Sequence, residues 1–271
     1  MKVDMHVHTR YSDGALNLNQ MKMLLLENNV TDVGIADHWK TKRYTPDFYV
    51  TDVEEYYYTT KETLHDIPHV KVGLEIDFSS IYGYQLDDHD LKILNNVDFV
   101  LFEYVDTKKE SWGEVNGKSI NELICIINGL KIPVGLAHNN FYFNYENNYN
   151  EVLKIMKEHH IFLELCEAEG LGKAVVTNNT LKKMAALRKN MSNLDIYNCQ
   201  KDEPVVIDKK HAIDNKYYFE HFPDDLWRQI VDLNIKISIS TDNHHGNRIA
   251  EYPTLQPYLE KYQLLNSFYY Q

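Results

Sequence analysis

His6 and His8 stand two residues apart in the chain's first apolar run, Val3-Asp4-Met5-His6-Val7-His8. On a β-strand, residues i and i+2 face the same way, so both imidazoles can grip one metal ion. Asp13 follows in a Ser-Asp-Gly turn, from which a carboxylate can curl back over the strand end. Taken alone, such a histidine pair is more often structural than metal-binding. The chain repeats the pattern, however. Asp37-His38, Glu75-Ile76-Asp77, Ala137-His138 and Asp242-Asn243-His244 each close an apolar, β-branched run. One such ending could be accidental, but five in register suggest a polynuclear metal site at one end of a parallel barrel. Mixed imidazole and carboxylate ligands suit Zn, Fe and Mn rather than Mg alone.

The elements that must position these groups alternate along the chain. Strands are expected over 2–8, 30–36, 70–76, 98–105, 133–137, 161–166 and 235–240. Helices are expected over 17–29, 50–64, 86–94, 119–130, 150–159, 180–190, 224–233 and 255–264. Ser119 with Glu122 three residues on reads as a capping box. The polar stretch 192–222 reads as an insertion packed over the barrel, a lid and specificity element. Alternating strands and helices imply a parallel sheet with right-handed crossovers. Near-continuous Val/Ile/Leu strands suggest a closed barrel buried on both faces. In such barrels the chemistry sits at the C-terminal ends of the strands, where every candidate ligand falls. The expected fold class is therefore α/β, a single seven-stranded barrel domain over 1–271.

Composition sets the outer bounds. With 271 residues, 44% hydrophobic and 25% charged, the chain can bury an ordinary globular core. No apolar run approaches the roughly 18 residues of a membrane span. Because the first residues read as a strand, no signal peptide is expected. Cys125, Cys166 and Cys199 are odd in number and not in CxxC spacing, as expected of reduced thiols in a cytoplasmic protein. A net charge of −12 argues against a general nucleic-acid coat but not against a small phosphorylated substrate.

The strings HVH followed by SDG, then ADH, GLEID, AHN and STDNH resemble the motifs of the PHP family, named for its polymerase and histidinol phosphatase members. The resemblance runs in the correct order over nearly the whole chain. It implies a distorted seven-stranded (β/α)7 TIM-like barrel that carries two or three Mn, Fe or Zn ions and hydrolyses phosphoesters. Carried over by position, one ion would be held by His6, His8, Glu75 and Asp242. A second would share Glu75 and take His138, and a third would take Asp13, His38 and His244. The family usually places a further histidine at the end of the fourth strand. Here that stretch reads Phe102-Glu103-Tyr104-Val105-Asp106. Glu103 is the favoured replacement ligand for the second ion and Asp106 the next choice; the competing account of Glu103 is an ion pair with a Lys or Arg.

The implied activity is hydrolysis of a small phosphomonoester, histidinol-phosphatase-like, or of a nucleotide, by a metal-bridging hydroxide. The alternatives are a nuclease acting on DNA or RNA ends and a non-catalytic metal-binding domain. Arg43 and Arg248 are candidates to neutralise phosphoryl charge, and Asp242 or His244 to relay a proton to the leaving oxygen. Lys40 either solvates its loop or touches phosphate. Glu164 reads as a partner of a ligand rather than a ligand, and His159-His160 as partners of a helix C-terminus. His245 is read equally as a loop residue and as a substrate contact.

Overall fold

The computed structural model describes residues 2–110, 113–167, 218–246 and 249–264. Seven parallel strands form one sheet. They are β1 (Val3–Val7), β2 (Asp32–His38), β3 (His69–Asp77), β4 (Phe99–Glu103), β7 (Val134–Leu136), β8 (Ile161–Cys166) and β9 (Ile237–Ser240), hydrogen-bonded in that order. A parallel bridge between Val7 and Asn243 brings the two outer strands together and nearly closes the barrel. A two-residue antiparallel ladder, β5 (Lys109–Glu110) with β6 (Gly113–Glu114), interrupts the alternation between β4 and β7.

Helices pack outside the strands. α1 (Leu18–Glu27) buries Leu18, Met21, Leu24 and Leu25, the stripe expected from its periodicity, and starts at an Asn17/Gln20 capping box. α2 (Val53–Thr63) starts on Asp52 and α3 (Asp88–Leu94) on Asp87, each later than hydrophobicity alone suggests, because the carboxylate takes the free N–H groups of the first turn. α4 (Ile120–Ile127) carries the expected Ser119/Glu122 box. α5 (Phe141–Tyr145) is one short turn with no apolar stripe to announce it, followed by α6 (Tyr149–Glu158). α7 (Asp224–Asp232) and α8 (Gln256–Lys261) complete the outer layer. The helix expected over 180–190 and residues 192–217 of the expected insertion lie outside the described residues. Tyr218–His221 forms a 3-10 turn. Among the described residues no helix is long and apolar enough to cross a membrane.

Strand alternation sorts the side chains into two sets. Val72, Leu74 and Ile76 of β3, Val100 and Phe102 of β4, Leu163 of β8, and Ile237 and Ile239 of β9 join the core under the helices. The opposite parity carries Asp4, His6 and His8 on β1 and just beyond it, His38, Glu75, Asp77, Glu103, Glu164 and, past β9, Asp242. Below these groups Ala36, Phe99, Leu101, Ala137 and Phe162 form a separate small core that plugs the barrel. Small residues make room for its rings: a Cβ on Gly73 would lie 2.6 Å from the Phe99 ring, and one on Gly135 would lie 2.1 Å from Phe162. Overpacking of this kind costs about 1–3 kcal/mol. The plug forms an apolar floor, and the polar groups collect above it at the C-terminal rim.

β4 is shorter than expected. It ends at Glu103, because Tyr104 turns into the left-handed region at φ 67° and Thr107 N–H closes a turn on the Tyr104 carbonyl at 3.0 Å. Glu103 is therefore the last strand residue, with its side chain at the rim.

Candidate metal centre

The first strand and its turn are pinned before any ligand is considered. His8 N–H donates to the Asn243 carbonyl at 2.8 Å and Asn243 N–H to the His6 carbonyl at 3.2 Å. Buried Asp37 accepts from Thr9 N–H and Thr9 Oγ1 at 2.7 Å each and from Ser12 Oγ at 2.5 Å. This folds the Thr9–Ser12 turn back, so that Asp13 returns over the strand end. Gly14 is required there, since a Cβ would lie 2.5 Å from the His8 carbonyl carbon. Asp4, also buried, accepts from Thr241 and from Ala250 N–H, which ties the end of β9 to β1. Burial raises the Asp4 carboxyl to about 7 against those bonds.

Three histidines have one ring nitrogen committed and the other aimed inward. His6 Nδ1–H donates to Glu164 Oε1 at 2.9 Å. His8 Nδ1 lies 3.2 Å from Ser12 Oγ, whose proton goes to Asp37, so the imidazole is the donor. His244 Nδ1–H donates to the Asp242 carbonyl at 2.9 Å. Each ring is thereby oriented so that Nε2 turns into the cluster, where it would serve as the ligand atom once deprotonated. His6 Nε2 and His8 Nε2 are buried with no hydrogen-bond partner, and so is Asp242 Oδ1, which lies 3.7 Å and 3.1 Å from them. Glu75 stands at the hub. Its Oε2 is 3.0 Å from His38 Nδ1, 3.4 Å from His8 Nε2 and 3.6 Å from His6 Nε2, and its Oε1 is 2.9 Å from His138 Nε2.

The potential donor atoms fall into overlapping groups: His6, His8 and Glu75; His8, Asp13, His38 and His244; Glu75, Glu103 and His138; and His38, Asp77 and Glu103. Asp13 Oδ1 lies 3.4 Å from His8 Nδ1 and 3.3 Å from His244 Nε2. Leaving a buried polar atom unsatisfied costs about 1–3 kcal/mol. Several such lone pairs converge on common points here, which is what bound divalent cations would repay. The donor set fits such ions.

Charge coupling supports the same fit. Burial alone would raise Glu75 and Asp13, but neighbouring histidines (His38 and His6 for Glu75, His244 and His38 for Asp13) outweigh it and hold both carboxylates well below their usual range. Asp242 is held down similarly, against burial, chiefly by His244 and His8. Burial pushes His38 down to about 4, leaving it neutral. His138 goes the other way. Burial lowers it, but Glu75, Asp242 and Glu103 together lift it to about 10. Glu103 is pushed well above its usual range by burial and by Glu75 and Asp77, against the pull of Arg43. His6 moves the same way as His138, lifted against burial by Glu164 and Glu75.

Every described first-choice ligand reaches this cluster, and three other expectations change. Asp106 lies off it, since its carboxylate accepts from Ile120 N–H and Tyr145 OH at 2.8 Å each and caps α4. Lys40 turns away to Asp90 beside Trp39. Arg43, expected at a substrate phosphate, bonds Glu103 Oε2 at 2.6 Å and Tyr104 OH at 2.7 Å. Glu103 thus makes the ion pair offered as the rival to ligation, while its Oε1 still lies 3.7 Å from His138 Nε2. Glu164 takes the partner role, accepting from His6 and from His138 N–H. His159 caps α6, and His245 contacts the His244 ring. Arg248 lies outside the described residues. Asp77 was missed by sequence reasoning. The same i, i+2 rule that paired His6 with His8 pairs it with Glu75. Tyr44 was missed too; its hydroxyl donates to Asp13 Oδ2 at 2.8 Å.

Fold and cluster together define a nearly closed parallel α/β barrel with an imidazole–carboxylate centre at the C-terminal ends of its strands. The chain belongs to the PHP domain family, which it matches over residues 4–168. No curated protein matches its sequence significantly. The fold is similar to that of the histidinol phosphate phosphatase HisK of Lactococcus lactis, crystallised with zinc, L-histidinol and phosphate, at 12% identity and TM-score 0.55 over 96% of this chain and 93% of that one. A candidate histidinol phosphatase from Listeria monocytogenes aligns at 12% identity over 95% of this chain and 100% of its own, with TM-score 0.48. Family membership supports a metal-dependent phosphoesterase.

Proposed function

We propose that the protein hydrolyses a small phosphomonoester using two or three bound Mn, Fe or Zn ions. The observation that carries this is the convergence of His6 Nε2, His8 Nε2 and Asp242 Oδ1, buried and without partners, beside the Glu75 hub. His6, His8, Glu75 and Asp242 would hold one ion, Glu75, Glu103 and His138 a second, and Asp13, His38 and His244 a third. Such ions supply Lewis acidity, which activates water near neutral pH and neutralises phosphoryl charge. Glu164 orients His6 and fixes the backbone at His138. Asp242 and His244 are the groups placed to pass a proton to the leaving oxygen. His138, Asp242 and His244 have side chains 20–25% exposed, whereas His6, His8 and Glu75 are at 0–1%, so substrate enters over the former three. The family's phosphatase members and the ligands of the Lactococcus neighbour make L-histidinol phosphate the first substrate to try.

Two measurements check this reading. Protein expressed with added Mn, Fe and Zn is expected to carry more than one metal equivalent by elemental analysis, and to turn over phosphomonoesters in preference to single-stranded oligonucleotides. One equivalent or fewer would remove the polynuclear assignment, and preference for oligonucleotide ends would move it to the nuclease class.

The second measurement concerns protons. His138 is raised above its unfolded value to about 10, so its stabilisation of the metal-free fold is full below about pH 6.5 and lost as pH rises through about 10. Near neutral pH it is protonated, and ligation needs its lone pair. Metal loading at about pH 7.5 is therefore expected to release protons and to tighten with rising pH. Calorimetry in two buffers of different ionisation enthalpy counts them; zero release would exclude His138 as a ligand.

A further inference from the structure

Among the described residues, one group of potential ligands matches none of the three ions above: His38, Asp77 and Glu103, whose donor atoms lie within 4.8 Å of one another and of which only Asp77 is unassigned. Their arrangement follows from register. Asp77 on β3 is paired with Glu103 on β4, and Glu75, two residues before Asp77, is paired with His38 on β2. The three side chains therefore meet on one side of the hub. Asp77 is fully buried, and neither of its carboxylate oxygens accepts a hydrogen bond. An ionised carboxylate so placed requires a cation.

A cation of the chain's own is there. Arg43 Nη2 lies 2.6 Å from Glu103 Oε2, 3.0 Å from Asp77 Oδ1 and 3.3 Å from His38 Nε2. Nη1 donates to Tyr104 OH at 2.7 Å, and the guanidinium carbon lies 5.3 Å from the ring centroids of both Tyr44 and Tyr104. The side chain is thus held by two aromatic rings and a hydroxyl, with one nitrogen placed among three potential ligands. We infer that Arg43 is a resident cation of the centre: its Nη2 fills a His38–Asp77–Glu103 pocket of divalent-metal character and keeps a metal ion out of it. This rests on the metal-centre reading of the adjacent groups.

Two consequences follow. Arg43 holds Glu103 by Oε2 and leaves Oε1 turned toward His138, so the carboxylate offers the neighbouring ion a single oxygen. Arg43 also keeps His38 available to the Asp13 and His244 group, because an ion in the pocket would compete for the same imidazole. Glu103 at the end of β4 places a second buried carboxylate beside Asp77. A fixed guanidinium neutralises it without drawing a further ion from solution.

The test counts metal. Wild type, Arg43→Ala, Arg43→Gln and Arg43→Lys are stripped with chelator, dialysed against Mn(II), and assayed by elemental analysis and by melting with and without Mn(II). The quantity read is the difference from wild type. Arg43→Ala and Arg43→Gln are expected to gain one equivalent, with a melting temperature more dependent on Mn(II) than that of wild type. Arg43→Lys, which keeps a charge, is expected to stay at the wild-type count. An unchanged count in both neutral variants would overturn the inference, as would an extra equivalent in Arg43→Lys. Failure of both neutral variants to fold at saturating Mn(II) would overturn it as well, because an ion in the pocket replaces the lost charge. A neutral variant that folds only with Mn(II) supports it. A wild type that binds no ion while the neutral variants gain one would leave this inference standing and remove the phosphoesterase reading instead.

Discussion

Glu75→Gln is expected to strip more than one ion from the centre and to lower turnover by about 100- to 1,000-fold, the scale on which a charged stabiliser is lost from an enclosed site. The reason is position. Oε2 faces His6, His8 and His38 and Oε1 faces His138, so a single carboxylate serves four histidines from three other strands or strand ends. Glutamine keeps the volume but turns one oxygen into an amide N–H₂, which presents hydrogens where lone pairs are needed. The metal-free protein should suffer too. Glu75 is held well below its usual range, against burial, by His38 and His6, so its ionised form contributes stability above its unfolded value, about pH 4.3. Melting in chelator should therefore drop at neutral pH, and the deficit should shrink toward acid. Elemental analysis and melting of the same sample check both effects. Wild-type metal content in Glu75→Gln would end its assignment as the shared ligand.

The sequence showed much of this plainly, because the site is built by strand-end chemistry. His6-x-His8 obeys the two-residue period, and each of the other ligand strings ends an apolar run that β-propensity alone marks as a strand. A barrel of parallel strands then brings all the ends to one rim without any long-range detail. What was not legible depends on loops. Arg43 lies five residues beyond His38, and nothing local says that the loop carries its guanidinium onto β4 and Glu103. Asp106, the second choice after Glu103, is removed because a left-handed residue at Tyr104 ends the strand and sends Asp106 to the N-terminus of α4. Asp37, beside a ligand, holds a turn instead, because strand parity points it away from His38. Asp77 was legible and overlooked: the period that paired the two histidines also pairs it with Glu75.

Asp242 offers the cleanest test of the buried ligand pair, because its backbone selects the substitution. Its φ is 49°, in the left-handed region that asparagine tolerates well and alanine poorly. Asp242→Ala would mix lost ligation with about 1–2 kcal/mol of backbone cost, whereas Asp242→Asn removes the charge and keeps the turn. Oδ1 lies 3.1 Å from His8 Nε2 and 3.7 Å from His6 Nε2, and it has no hydrogen-bond partner, so the charge serves whatever sits between those atoms. Asp242→Asn is expected to reduce phosphomonoester turnover by about 100-fold or more. The barrel should stay folded, since Asp242 stands beyond the last residue of β9. His6→Ala is expected to match it in activity. The barrel should survive that change too, because Glu164 keeps the His138 N–H as a partner. The two variants differ in what they leave behind. His6→Ala frees a buried glutamate and should lower the melting temperature in chelator. Asp242→Asn, whose side chain is 20% exposed, should lower it less and should lose mainly the extra stability that metal confers. If either variant keeps near-wild-type turnover and metal content, that residue is not a ligand, and the ion it was assigned must be held by Glu75 with the remaining histidines alone.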